Sequence, residues 1–133
     1  MDDILTLQDF THLVPKKDLC EKLPRIPFSK SLFVWDDEGK LMDRIAAQIE
    51  YSNKEYETLA PAPTAGELLE AFRKIPSVVG CELYFDSVCD WVITWSNKNL
   101  ETSIQAGTGS FYELTLAEVL CEAYLSALKK EDN

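Results

Sequence analysis

Thr64-Ala65-Gly66-Glu67 and Thr115-Leu116-Ala117-Glu118 are two copies of one device. In each, a Thr hydroxyl and a Glu carboxylate three positions on satisfy free backbone amides at a helix start, which is the capping box. The first follows Pro61-Ala62-Pro63 and opens a helical spacing of Ala65, Leu68, Leu69, Phe72 and Ile75, with Pro76 as the stop. The second opens a stripe of Leu116, Val119, Leu120, Ala123, Tyr124, Ala127 and Leu128. Lys129 and Lys130 suit the negative end of that helix's dipole. Helices are therefore predicted near residues 64–75 and 115–130. Each has one apolar stripe, and a single stripe has to be buried against another element.

The segment between them supplies strands. Gly80-Cys81-Glu82-Leu83-Tyr84-Phe85-Asp86 alternates, with Cys81, Leu83 and Phe85 on one face. Asp90-Trp91-Val92-Ile93-Thr94-Trp95 is rich in aromatic and branched residues, which fit a pleated surface. Together they predict an antiparallel hairpin over 80–86 and 90–96. Ser96-Asn97-Lys98-Asn99 reads as a turn, residues 100–105 as a third strand, and residues 106–110 as a loop. Upstream, Leu5–Leu13 and Lys16–Leu23 suggest short helices broken by Pro15. Ser31-Leu32-Phe33-Val34-Trp35 is a strand candidate turned by Asp36–Gly39. Lys40–Glu50 has helical composition but follows a tight turn, so its first residues are expected to be a strand and the rest stays open. Asn53–Leu59 reads as a polar connection.

The expected fold class is α+β over a single domain, residues 1–133. Strands near 31–36, 80–86, 90–96 and 100–105 are expected in one small antiparallel sheet. The two main helices pack on one face of it, with short N-terminal helices added. The expected core is Leu68, Leu69, Phe72, Leu83, Phe85, Ile93, Leu116, Val119, Leu120, Ala123 and Ala127. Cys81 and Cys121 read as small buried hydrophobes.

Chemistry is sparse. His12 is the only histidine, so triads and two-histidine metal sites have nothing to draw on. No two of Cys20, Cys81, Cys89 and Cys121 are spaced as a zinc or redox pair. Cys81 and Cys89 flank one hairpin, yet free thiols are expected, because no secretory leader is visible in residues 1–20. Gly107-Thr108-Gly109 lacks the ending of a phosphate loop. Glu67 and Glu118 are explained as caps, and Glu70 and Glu122 lie off the apolar stripes. We expect no enzyme, no cofactor and no metal. The 13 Lys and Arg stand against 23 Asp and Glu, giving a net charge of −10. That disfavours nucleic acid and anionic lipid as partners, and no run reaches the roughly 18 apolar residues of a membrane span.

Four segments carry a resemblance: Leu32–Trp35, Ala62–Leu69, Trp91–Trp95 and Leu114–Leu120. Their order resembles the small "ABA sandwich" proteins encoded by phages, prophages and bacterial mobile elements, over about residues 6–130. The resemblance implies a short N-terminal helix, two strand hairpins and two helices, a bacterial cytoplasmic setting, and no catalytic residues. The expected role is contact with another protein or self-association. If Leu83, Phe85 and Ile93 point inward, then Tyr84, Val92 and Thr94 form the outer sheet face and the candidate contact patch. The alternative is an acidic inhibitor of host defence that mimics nucleic acid. Its candidate carboxylates are Asp36, Asp37 and Glu38 at one turn, and Asp86, Asp90, Glu101 and Glu113 around the C-terminal hairpin.

Overall fold

A computed structural model describes residues 6–86, 90–98, 102–106 and 114–131. The protein has a small α+β fold with antiparallel sheets and several helices. Both capping boxes form as the sequence predicts. Thr64 Oγ1 accepts the Glu67 amide at 3.3 Å, and Glu67 Oε1 accepts the Thr64 amide at 2.8 Å. The equivalent pair at Thr115 and Glu118 spans 3.2 and 3.1 Å. They start helices at Ala65–Arg73 and Leu116–Glu131.

The strands fall into two three-stranded sheets, which corrects the expectation of one. Strand β1 (Phe33–Trp35) turns through Asp36–Gly39 into β2 (Leu41–Asp43), and Gly39 takes the positive φ of 80° that a Cβ would strain. Its other edge pairs with β3 (Ala60–Ala62). Both edges of β1 are thus used within the first half, and none is left for the later strands. Pro61 is tolerated because β3 is an outer strand, where a missing amide donor costs no ladder bond.

Five short helical segments lie in the N-terminal half, one of them a 3-10 turn at Ile26–Phe28. Leu7–Leu13 is a 3-10 helix, α1 is Lys17–Cys20, α2 is Arg44–Glu50 and α3 is Asn53–Tyr56. The segment after Gly39 is therefore strand and then helix, started by the Asp43 side chain accepting the Ile45 and Ala46 amides. The stretch read as a polar connection contains α3, capped by Ser52 and Glu55. One face of the sheet packs Trp35, Leu41, Ala60 and Ala62 against Val14 and Cys20. The other packs Val34 against Ala47 and Leu59.

With the short helices counted, the capped helices are α4 (Ala65–Arg73) and α5 (Leu116–Glu131). The second sheet is the meander β4 (Val78–Asp86), β5 (Asp90–Asn97) and β6 (Thr102–Ala106), with β5 in the middle. The largest core joins α4 and α5 to this sheet through Leu68, Phe72, Ile93, Trp95, Val119, Leu120, Ala123 and Ala127. The N-terminal half is tied in by two further bonds. Glu67 Oε2 accepts the Leu32 amide at 3.2 Å, and Glu118 Oε2 accepts the Lys16 amide at 3.3 Å. Each capping carboxylate thus holds its own helix start with one oxygen and a distant segment with the other.

Candidate functional site

The register of the meander fixes which side chains share a face. Cys81 lies opposite Trp95, Leu83 opposite Ile93 and Phe85 opposite Trp91. Tyr84 lies opposite Val92, and Glu82 opposite Thr94. The alternation predicted for this hairpin is therefore correct. Its burial differs. Phe85 is 64% exposed and Cys81 is exposed, although both were expected in the core. Leu69, Leu83 and Leu116 are only partly buried. The cause is reach: α5 packs over β5 and β6, and α4 meets only the start of β4, so the far half of β4 lies beyond both helices.

The candidate patch on the opposite face divides. Tyr84 is 40% exposed and Thr94 is half-buried. Val92 is 4% exposed and drops out. What is exposed instead is a cluster around the end of β4. Phe85 and Trp91 meet edge to face, with centroids 5.9 Å apart and planes at 82°. Val79, the extra residue of a bulge between Val78 and Gly80, is also exposed. A bulge and the limited reach of a helix leave no mark in an alternating sequence.

Beside the start of β4 runs a groove of about 510 Å³, lined by Leu69, Glu70 and Arg73 of α4 and by Val78, Val79 and Cys81. Glu70 is exposed and bonded to Arg73 at 3.2 Å, with Lys74 at 3.9 Å. That is an ordinary helix-surface pairing, not an isolated acid. Partial burial raises the Cys81 thiol above its usual pKa.

The acidic turn is occupied locally. Asp36 Oδ1 accepts the Glu38 and Lys40 amides, both at 2.8 Å, and Asp37 accepts the Tyr51 hydroxyl at 3.1 Å. Burial and this bond raise the Tyr51 pKa. Glu38 is exposed. Asp86 and Asp90 sit at the facing ends of β4 and β5. Glu101, Glu113, Cys89 and the loop at 107–110 lie outside the described residues, as do the side chains of Asp86 and Asp90. His12 is exposed on the Leu7–Leu13 turn. Cys20 and Cys121 are buried, and burial pushes both thiols up to about 12. Among the described residues no three His, Cys, Asp or Glu side chains gather as a metal site, and no helix is long and apolar enough to cross a membrane.

No protein-family model, curated protein or solved structure matches this chain.

Proposed function

We propose that the chain is a small, non-catalytic accessory protein of a phage, prophage or mobile element, working by protein contact in the cytoplasm of its bacterial host. The observation that carries the contact reading is the exposed Phe85–Trp91 pair across the ends of β4 and β5, with Tyr84 exposed on the opposite face. Exposed aromatic and branched side chains grouped on a sheet edge are the usual anchors of a protein interface. The order of strand, capped helix, Trp-bearing hairpin and capped helix supports the phage-type setting, through the resemblance alone. The acidic alternative draws less support, because Asp36 closes its own turn and Asp37 accepts the Tyr51 hydroxyl.

The test is parallel capture from host lysate with the wild type and Phe85→Asp at low and high salt. A partner held by the wild type at high salt and lost by the variant supports the reading. A partner lost from both as salt rises points to screened carboxylates instead.

A further inference from the structure

We propose that the free edge of β4 pairs with β4 of a second copy of this chain, antiparallel about a two-fold axis at Leu83, to make a continuous six-stranded sheet. This rests on the contact reading above and names the partner.

Three observations converge. The first is the edge itself. Among the described residues β4 pairs only with β5, so past Val78, whose amide donates to the Ile75 carbonyl, its outer side has no neighbouring strand. Past the bulge at Val79, the regular stretch 80–86 is long enough to be a template for another strand. The N-terminal sheet treats its β2 edge differently. There the Gln8 amide closes the outer side, donating to the Leu41 carbonyl at 2.9 Å and accepting the Leu41 amide at 3.1 Å.

The second is the placement of charge. In a two-fold antiparallel pairing, facing residues lie on the same side of the sheet, so the axis passes through one residue. An axis at Glu82 sets that acid against its own copy, and an axis at Tyr84 sets position 82 against position 86, two acids. An axis at Cys81 runs the pairing into the bulge at Val79 and leaves Phe85 facing Ser77, outside the strand. An axis at Leu83 uses the regular stretch 80–86. It sets Leu83 on Leu83, Cys81 on Phe85, Glu82 on Tyr84 and Gly80 on Asp86. No like charges face each other directly, and the two Glu82 side chains lie on the diagonal about 7–8 Å apart.

The third is shape. In that register Phe85 of the second copy stands beside Cys81 on the helix-bearing face, where the groove between α4 and β4 opens. The exposed ring of one copy enters the groove of the other, against Leu69 and Val78, and the symmetry makes the contact twice. Cys81 and Phe85 share a face with the partly buried Leu83 and are exposed in the single chain. A second copy covers them.

Two chains of charge −10 repel, so the dimer tightens as salt screens that repulsion. Sedimentation of the full chain from low micromolar to about 0.5 mM, at 0.05 and 0.5 M NaCl, should show a monomer–dimer equilibrium whose dissociation constant falls as salt rises and rises at least ~10-fold in Phe85→Asp. The register is read by cross-linking in a Cys89→Ser background. Phe85→Cys, an exposed site, should form a disulfide with Cys81 of the second copy on mild oxidation, since facing residues lie about 4.5–5.5 Å apart at Cα. The parent Cys81 should give no Cys81–Cys81 dimer, because two such residues are offset by about 13 Å along the strands. A monomer at every concentration and both salts overturns the proposal, as does a Cys81–Cys81 dimer in the parent. If the chain is monomeric yet still loses a host partner on Phe85→Asp, self-pairing fails and the contact reading stands. If it dimerises as described and captures no host partner, the second copy is the contact.

Discussion

The Phe72 ring meets the Trp95 ring edge-on, with centroids 5.4 Å apart and planes at 80°. This contact fastens α4 to the central strand of the meander, and both side chains are buried. Such a pair adds about 0.5–1.5 kcal/mol beyond the area it hides. Phe72→Ala should cost about 3–5 kcal/mol and Leu120→Ala about 2–5 kcal/mol in denaturant unfolding. A loss under about 0.5 kcal/mol at Leu120 would contradict the buried face assigned to α5.

Thr64→Ala and Thr115→Ala should each cost about 1 kcal/mol. Glu118→Ala should cost more than Thr115→Ala, because it also frees the Lys16 amide. Hydrogen exchange separates the two effects. Glu118→Ala should speed exchange at Lys16 as well as at the start of α5, whereas Thr115→Ala should leave Lys16 protected.

Arg25 donates to the carbonyl oxygens of Leu59 and Tyr56, the latter at 2.8 Å, and lies 5.3 Å from the Tyr56 ring centroid. A planar fork makes both bonds at once, and an ammonium does not reproduce that geometry. Arg25→Lys should therefore destabilise by about 1–3 kcal/mol, close to the loss in Arg25→Ala. Full stability in Arg25→Lys would show that charge alone matters there.

Cys20 and Cys121 hold their protons to about pH 12 when folded, against 9.0 for an unperturbed thiol. Unfolded thiols therefore ionise first as pH rises, and stability is lost from about pH 9 upward. Each thiol contributes a slope of about 1.4 kcal/mol per pH unit in that window. The measurable quantity is the difference between the wild type and Cys121→Ala, since other groups titrate there too. With Cys89→Ser in place, alkylation of the native chain at pH 8 should label Cys81 first and reach Cys20 and Cys121 only on unfolding.

The parts of this fold that were legible in sequence are those governed by neighbours in the chain. Thr64 with Glu67, and Thr115 with Glu118, announce their helices because the partners lie three residues apart. The shared face of Leu83, Phe85 and Ile93 follows from alternation about a short connection. The division into two sheets was hidden, because Ala60-Pro61-Ala62 reads as punctuation until β1 supplies its neighbour. Phe85 and Cys81 were misplaced for one reason and Val92 for another. Alternation assigns a side chain to a face but says nothing of how far a helix extends over it, or what lies over the opposite side. The candidate contact surface is where those two blind spots coincide.

The double use of Glu67 and Glu118 orders events in time. A chain made from its N-terminus exposes the Lys16 amide long before Glu118 exists, and the Leu32 amide before Glu67. During synthesis these two bonds therefore wait for carboxylates translated later, while Val14 and Cys20 already have the first sheet to pack on. Docking of the Lys16 amide onto Glu118 thus reports that the start of α5 has been made.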